Sequence, residues 1–314
     1  MRTLRSISEL AEIPGPVFLA IGVFDGVHRG HQAVIGSATQ HAAEAGGTAV
    51  VVTFDPHPAK ILRPNESPRL LTATQHKIAL LRKLGVSHLL VLRFDREFAS
   101  TPPAEFVRQL ASAARPLREI CVGAEWSFGK NRAGNLALLK KLGAKLGFNV
   151  VGVDPVMSDG KIISSTEIRK AVERGNFTAA ARMLGRDYTI LGTVEEGKHL
   201  GRSLGFPTAN LSAHSEQFPP NGVYVAEGLL EGKKVRGVVN LGLRPTVADN
   251  APARVLEFHL FDFDRDLYGE EIELRFLEYL RPEQKFDNLA DLREQIARDV
   301  KRAHEIFGDA RGES

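Results

Sequence analysis

The sequence predicts an α/β domain followed by an all-β domain. Up to about residue 186, short β-branched segments alternate with segments whose apolar residues recur at helical spacing. From Tyr188 onward, strand-like segments follow one another without intervening helices. Strand and helix alternation predicts a parallel sheet covered by helices, whereas consecutive strands predict an antiparallel barrel or sandwich. We therefore predict two domains, spanning residues 1–186 and 187–314.

The elements of the first domain follow from these periodicities. The predicted strands are Val17–Gly22, Thr48–Phe54, His88–Phe94, Glu119–Gly123 and Asn149–Val153. The predicted helices are Gln32–Ala45, Gln75–Leu84, Pro102–Ala113, Leu136–Leu146, Thr166–Arg174 and Thr178–Leu184. Thr101 is expected to cap the third helix, because proline is favoured at the first helical position that follows it.

The second domain is predicted from a series of strands and one helix. The strands are Tyr188–Val194, Gly222–Leu230, Lys234–Leu241, Arg254–Leu260 and Glu271–Leu280. The last periodic stretch, Leu289–Phe307, carries apolar residues on one stripe, which are Leu289, Leu292, Ile296, Val300, Ala303 and Phe307. This stripe predicts a long amphipathic terminal helix that packs on the barrel.

The composition is that of an ordinary folded protein, with 314 residues, 43% hydrophobic and 25% charged. The N-terminus has no apolar segment of signal-peptide length, and no stretch approaches a membrane-spanning run. We therefore expect a cytoplasmic protein with no membrane partner. Cys121 is the only cysteine, which excludes an intramolecular disulfide and a cysteine metal cluster and predicts a buried structural thiol.

The two predicted domains differ in charge. Residues 1–186 hold 25 Lys and Arg against 15 Asp and Glu, a net +10, whereas residues 187–314 hold 16 against 23, a net −7. A basic domain can bind polyphosphate ligands or nucleic acid. The basic residues are scattered and form no tract, so we expect small anions rather than nucleic acid as ligands.

Two histidines lie where a predicted strand turns into a predicted helix, in Gly22-Val-Phe-Asp-Gly-Val-His-Arg-Gly-His31. Free backbone N–H groups and the positive end of the helix dipole converge there and favour an anion such as a nucleotide phosphate. Imidazoles can donate hydrogen bonds to phosphate oxygens. The alternative is a solvent-facing turn. The chain has neither a P-loop nor a Gly-x-Gly-x-x-Gly motif. The candidate residues are Gly22, Phe24, Asp25, His28, Gly30 and His31.

A second phosphate site is predicted in Ser164-Ser-Thr-Glu-Ile-Arg169. The hydroxyls of Ser165 and Thr166 lie at a helix start, and Arg169 follows on the first turn. Ser164 and Glu167 also fit a capping box, so capping alone explains the pattern equally well. The two roles can coexist.

A glycine-rich aromatic loop, residues 123–134, follows another predicted strand. Trp126 could close over a planar ring, with Lys130 or Arg132 reaching a phosphate. A surface loop with a half-buried tryptophan explains the same residues, and the sequence leaves both interpretations open.

Four spaced motifs of the first domain carry a resemblance to a known family. They are the histidine motif, Phe54-Asp-Pro-His-Pro58, Phe128-Gly-x-x-Arg-x-Gly134 and Ser164-Ser-Thr-x-Ile-Arg169. Together they resemble the adenylyltransferase half of bacterial bifunctional riboflavin kinase/FAD synthetases. The resemblance implies a Rossmann-like nucleotidyltransferase sheet.

The same resemblance implies roles for individual residues. His28 and His31 would hold the ATP phosphates, and the Ser165, Thr166 and Arg169 segment would hold the leaving pyrophosphate. Flavin contacts are assigned to Asp55, Glu125 and Arg132. Many members of the family have Asp-Phe or Asn-Phe where this chain has Glu125-Trp126.

The second domain resembles the flavokinase half of the same family, a β-barrel fold. The matching motifs are Gly192-Thr-Val194, Gly201-Arg-Ser-Leu-Gly-Phe-Pro-Thr-Ala-Asn-Leu211, Gly222-Val-Tyr224, Asn240-Leu-Gly-x-Arg-Pro-Thr246, Glu257 and Asp266-Leu-Tyr-Gly269. Thr208 and Asn210 offer neutral oxygens to a magnesium ion that bridges ATP phosphates. Glycines at 201 and 205 allow ATP to approach the backbone, and Pro207 completes the predicted ATP site. The alternative is that residues 207–210 form a turn.

Glu257 is the predicted general base of the kinase reaction. That reaction must remove a proton from the riboflavin hydroxyl as it attacks the γ-phosphate of ATP. Strand alternation places Val255, Glu257 and His259 on one face. Spacing alone also fits an exposed strand residue, and only the family resemblance raises Glu257 above neighbouring acidic residues.

The predicted function is therefore flavin-cofactor synthesis in two steps. Riboflavin and ATP give FMN in the second domain, and FMN and ATP give FAD and pyrophosphate in the first, with Mg²⁺ as cofactor. One rival is a nucleotidyltransferase for another acceptor, such as a pantetheine or choline phosphate, with a non-catalytic flavin-binding barrel. Another rival is a non-enzymatic flavin-sensing or nucleic-acid-binding regulator. The sequence does not determine the oligomeric state.

Overall fold

The computed structural model describes residues 1–195, 206, 208–213, 217–244, 253–263, 265 and 267–308. By internal contacts the chain divides into two units: residues 1–168 with 182–185, and residues 169–181 with 186–314. The predicted domain boundary at 186/187 stays a prediction. Among the described residues, no helix is long and apolar enough to cross a membrane.

The first unit is built on a six-stranded parallel sheet of order β1-β4-β3-β2-β5-β6. The strands are β1 (Arg2–Leu4), β2 (Val17–Ile21), β3 (Thr48–Asp55), β4 (His88–Arg93), β5 (Leu117–Gly123) and β6 (Asn149–Val153). A short antiparallel pair, β7 (Met157–Ser158) and β8 (Lys161–Ile162), follows. The sequence analysis did not predict β1, β7 or β8, which are too short to show a periodicity.

Helices connect these strands. They are α1 (Arg29–Glu44), α2 (Pro58–Leu62), α3 (Thr74–Lys83), α4 (Arg96–Ala99), α5 (Pro103–Ala113) and α6 (Leu136–Leu146), followed by α7 (Ser165–Glu173) and α8 (Phe177–Leu184). The predicted cap of α5 was wrong by one residue, because Pro102 is the N-cap and Pro103 is the first helical residue. Helix α1 begins three residues before the predicted start, and His28 is therefore its N-cap.

Strand β2 is buried along its whole length, as expected of a central strand that has helices on both faces. Its alternate side chains enter two separate cores. Leu19 packs in a core with α5 and α6, whereas Ala20 packs in a core with α1 and α3. Cys121 lies in the second core and is buried, as predicted, and this burial raises the pKa of its thiol to about 12. The carboxyl end of β2 is thus held firmly where the histidine motif begins.

The second unit contains a closed antiparallel barrel of order β10-β13-β12-β11-β14-β9. Its strands are β9 (Thr189–Glu195), β10 (Thr208–Ala213), β11 (Gly222–Leu230), β12 (Lys233–Arg244), β13 (Ala253–Leu260) and β14 (Glu271–Arg281). Together with the parallel sheet of the first unit, this barrel confirms the predicted fold class. Strand β10 was not predicted as a strand, since its segment had been interpreted only as a motif.

The terminal helix α9 (Leu289–Phe307) has the predicted bounds. Its stripe packs on the outer face of the barrel, where Val300 and Ala303 meet Val223, Val225 and Val238. The stripe does not pack along its whole length, because Leu289 is 58% exposed. The helix therefore covers one side of the barrel through its carboxyl half.

Candidate active sites

The loop that joins β2 to α1, residues 22–28, has an unusual backbone. Phe24 and Val27 adopt positive φ angles of 52° and 43°. Such conformations cost about 1–3 kcal/mol each in residues other than glycine and persist only where the surroundings impose them. A Cβ atom on Gly22 would lie only 2.7 Å from the Phe24 ring. Glycine is therefore required at position 22 for the Phe24 ring to pack there.

Hydrogen bonds from distant segments hold this loop. The Asp25 carboxylate accepts from the backbone amides of Leu71 and Thr72 at 2.9 and 3.0 Å, and the Thr72 hydroxyl accepts from the amide of Gly26 at 2.9 Å. The hydroxyl of Ser165 donates to the backbone carbonyl of Asp25 at 2.9 Å. Two predicted phosphate segments, 140 residues apart, are therefore adjacent in space. Contacts of Asp25 and Ser165 with ATP stay predictions.

The two histidines form a stacked pair at the start of α1. Their ring centroids lie 3.5 Å apart at an interplanar angle of 22°. The Nδ1 atom of His28 accepts a hydrogen bond from the backbone amide of His31, so the neutral ring carries its proton on Nε2. A Cβ atom on Gly30 would come within 3.1 Å of the His28 ring, and glycine thus permits this stacking. Phe24 packs edge-on against His31 at 5.3 Å.

His31 is uncharged at neutral pH. Burial, followed by the charges of His28 and Lys77, lowers the pKa of its imidazole well below the usual value. Its buried Nδ1 atom makes no hydrogen bond to any described residue. A buried polar atom without a partner is costly unless a ligand satisfies it. The pair therefore offers hydrogen bonds rather than two positive charges to an anion.

A lysine that the sequence analysis missed lies beneath the same loop. Lys77 on α3 is 4% exposed, and its ammonium donates to the Val23 carbonyl at 2.9 Å and to the Thr53 hydroxyl at 3.1 Å. Burial lowers the pKa of Lys77 to about 8, while the charges of Asp25 and Asp55 act to raise it. Lys77 lies three and four residues before the buried Leu80 and Leu81, and this helical spacing is the sequence signal that places it on the inner face of α3.

The start of α7 confirms the predicted cap. The hydroxyl of Ser164 accepts from the amide of Glu167 at 3.3 Å. Ser165 bonds to the 22–28 loop, and Thr166 is exposed at the first turn. Arg169 belongs to the part of α7 that groups with the second unit. Its predicted contact with pyrophosphate remains a prediction.

An aromatic cavity of about 510 Å³ lies beside the 22–28 loop. Its wall includes Val23 of that loop and the predicted flavin-binding residues Glu125 and Arg132. Asp55 is not part of this wall, and its carboxylate accepts a hydrogen bond from the Thr74 hydroxyl. The aromatic residues of the wall, apart from Trp126, are Phe54, Phe94, Phe98, Phe106 and Phe128.

Residues 125–129, 131 and 132 form one side of this cavity. The rings of Trp126 and Phe128 are stacked at 4.5 Å and 11°. The backbone of Phe128 pairs with Gly134, and Arg132 Nε donates to the Ser127 hydroxyl at 2.8 Å. The loop is therefore an ordered wall of an aromatic pocket in which Trp126 is half-buried, and the binding of a planar ring against it stays a prediction.

The predicted kinase residues lie in one row across the barrel. Asn210 on β10 is directly opposite Glu257 on β13, and Glu257 is directly opposite Asn240 on β12. On the other side of β10, Asn210 is opposite Glu195. Residues opposite each other in an antiparallel pair share a face and lie about 5 Å apart. The strands thus bring together two carboxylates and two amides, and Asn240 had been quoted only as part of a motif.

Thr208 opens β10 two residues before Asn210, on the same face of the strand. The alternative that this segment is a turn was therefore wrong for residues 208–210. The ring of Phe206 packs edge-on against His259 at 5.4 Å. Three residues of the predicted ATP site, Gly201, Gly205 and Pro207, lie outside the described residues.

Comparison with known proteins supports the predicted family for both halves of the chain. A family model described as FAD synthetase matches residues 10–167, and one described as riboflavin kinase matches residues 184–307. A bifunctional riboflavin kinase/FMN adenylyltransferase of Escherichia coli K12 is 37% identical over 310 residues, covering 98% of each chain. The chain belongs to the bifunctional riboflavin kinase/FMN adenylyltransferase family. This membership confirms the family resemblance that the sequence motifs predicted.

Other matches support this family membership. A relative from Bacillus subtilis, with the same description, is 36% identical and covers 93% of each chain. A crystal structure titled as a macrolide-efflux protein from Streptococcus pneumoniae has a TM-score of 0.80 at 29% identity, covering 95% of this chain and 97% of its own. That title describes the pneumococcal protein, and the fold is what this chain shares with it. The predicted enzyme class is confirmed, and the rival with a non-catalytic barrel is not favoured.

The residues of the flavokinase half fit a magnesium ion. The amide oxygen of Asn210 is buried without a hydrogen-bond partner among the described residues. Thr208, on the same face, is exposed and offers a hydroxyl oxygen. Magnesium prefers oxygen ligands and keeps several waters and substrate phosphates in its coordination sphere. A site with few protein ligands of this kind therefore suits a metal–nucleotide complex.

Proposed function

We propose that this chain makes FAD from riboflavin in two ATP-dependent steps, one in each unit. One observation carries the assignment of the second step. Val23 belongs to the loop of the histidine motif and also lines the aromatic cavity. A planar flavin in the cavity would therefore present its phosphate beside an ATP molecule bound at the start of α1.

In the adenylyl-transfer step, a phosphate oxygen of FMN attacks the α-phosphorus of ATP. The bond to the β-phosphate oxygen breaks, and pyrophosphate leaves with its electrons. The FMN phosphate is already an anion, so the site requires hydrogen-bond donors rather than a strong base. His28 Nε2, His31 and the free amides of the first turn of α1 supply these donors. The Ser165, Thr166 and Arg169 segment stabilises the leaving pyrophosphate.

In the kinase step, Glu257 accepts the proton of the riboflavin hydroxyl while its oxygen attacks the γ-phosphorus of ATP. ADP leaves and FMN forms. Asn210 and Thr208 would hold the metal ion, and Asn240, which lies opposite Glu257, would orient its carboxylate. Magnesium bound there would offset the charge that develops on the phosphates.

A direct assay tests this function. Purified full-length protein is incubated with riboflavin, ATP and magnesium, and the flavins are separated by chromatography. We expect both FMN and FAD to appear, with FMN formed first. FMN alone would refute the assignment of the first unit, and the absence of both products would refute the whole proposal.

The aromatic cavity makes a separate prediction. We expect Trp126→Ala to raise the KM for FMN in FAD formation by about tenfold, because a flavin would lose one stacking partner. Steady-state kinetics with supplied FMN measure this change. Riboflavin phosphorylation by the same variant serves as the control and should be unaltered. An unchanged KM for FMN would place the flavin elsewhere.

A further inference from the structure

Lys77 is a buried charge that neither reaction above uses. Its ammonium lies under the 22–28 loop, bonded to the Val23 carbonyl and the Thr53 hydroxyl. The charged groups near it are Asp25 and Asp55, and His31 is close enough for its imidazole to be affected by the lysine charge. Lys77 thus connects Thr53 on β3 with the 22–28 loop.

The hydrogen bonds of Lys77 are not needed to satisfy the loop backbone. The Val23 carbonyl also accepts from the Thr53 hydroxyl at 3.0 Å, and Thr53 is fully buried. An apolar side chain of similar length at position 77 would leave that bond in place. Burying an ammonium is unfavourable, and this cost appears as the lowered pKa of Lys77. Folding therefore accounts for this charge only as a counter-charge to the buried Asp25 and to Asp55.

The phosphate site gives a second reason for the charge of Lys77. ATP and pyrophosphate carry several negative charges, yet His31 is held in its neutral form by burial and by the neighbouring His28. Lys77 is a fixed cation beneath the same loop, in surroundings that screen its field poorly. We propose that Lys77 is a positioning residue for adenylyl transfer, which fixes the Val23 carbonyl and supplies the positive charge that draws ATP phosphates to the loop. The inference rests on the function proposed for the first unit.

The test compares Lys77→Met with Lys83→Met in the full-length chain. Lys83 lies on the same helix and is exposed. We expect Lys77→Met to lower kcat/KM for ATP in FAD formation by about 10-fold to 100-fold, and Lys83→Met to leave it unchanged. Riboflavin phosphorylation should be unaltered in both variants. The Tm of Lys77→Met should fall, because the buried Asp25 carboxylate loses a nearby positive charge, so the activities are compared well below the Tm of the variant.

The pH profile separates an electrostatic role from a structural one. The charged form of Lys77 dominates below its pKa of about 8, so FAD formation should decline as the pH rises through that value. His31 stays neutral over this range, so the loss of this decline in Lys77→Met would identify the lysine as its cause. A Lys77→Met variant that makes FAD at the normal rate would overturn the inference. So would a variant whose Tm falls while its FAD formation still declines as the pH rises through about 8.

Inorganic pyrophosphate provides a readout that does not depend on catalysis. A ligand that binds the folded state raises Tm, and at a given concentration a tighter ligand raises it more. We expect pyrophosphate to raise the Tm of the unaltered protein more than that of Lys77→Met. Equal shifts would contradict the role of Lys77. If the unaltered protein made no FAD, the proposed function would fail, and the pyrophosphate shifts would still decide the role of Lys77.

Discussion

Replacement of His31 by alanine is expected to slow FAD formation from FMN by about 10²-fold to 10³-fold. The same loss is expected for His28→Ala. These rings are stacked at the start of α1, where His28 accepts from the amide of His31 and the buried Nδ1 of His31 is free to meet a ligand. Their hydrogen bonds strengthen as negative charge grows on the departing phosphates, so the loss should fall mainly on kcat.

The measurement uses supplied FMN and ATP, so that the first reaction does not limit the second. Gln40→Ala, on the exposed face of the same helix, is the matched control and should retain full activity. Riboflavin phosphorylation by the histidine variants should remain at the level of the unaltered protein. Equal loss of both activities in folded protein would contradict the division of labour between the two units.

Replacement of Glu257 by glutamine is expected to reduce FMN formation by about 10²-fold to 10⁴-fold. Glutamine has nearly the same shape as glutamate but cannot accept the hydroxyl proton. Asn210→Ala should also abolish FMN formation, because it removes the buried oxygen assigned to the metal. Both variants should still convert supplied FMN into FAD, since this reaction belongs to the other unit.

The kinase assay needs a control on the same barrel. Glu278 on β14 is an exposed carboxylate that pairs with Arg302, and Glu278→Gln should leave FMN formation unchanged. A Glu257→Gln variant that phosphorylates riboflavin at the normal rate would exclude Glu257 as the general base. Normal activity with an unchanged dependence on magnesium in Asn210→Ala would exclude the assigned metal ligand.

Local patterns predicted the long elements well because burial imposes a regular period on them. The predicted and observed bounds agree at Asn149–Val153, Leu136–Leu146 and Leu289–Phe307. The same patterns predicted the ends of helices and strands less accurately. Helix α1 starts at Arg29 because the His28 ring, rather than a hydroxyl or carboxylate side chain, accepts the capping hydrogen bond. Histidine is not among the side chains that usually signal a helix start.

Strand β10 shows a different limit of the sequence. Its segment, Thr208–Ala213, is short and contains two alanines and an asparagine, which do not favour strands. It is a strand because β9 and β13 pair with it on both sides and close the barrel. Backbone pairing over long distances in the chain overrides local preference here.

The sequence by itself determined the two-part architecture, the order of the motifs and the chemical types of the candidate site residues. These follow from residue periodicity and from short contiguous motifs. Only the tertiary structure decided that Val23 lines the aromatic cavity, that Asn240 and Asn210 flank Glu257, and that Lys77 is buried under the 22–28 loop. Each of these depends on segments far apart in the chain, whose packing and burial fix neighbours and protonation states that no local pattern records.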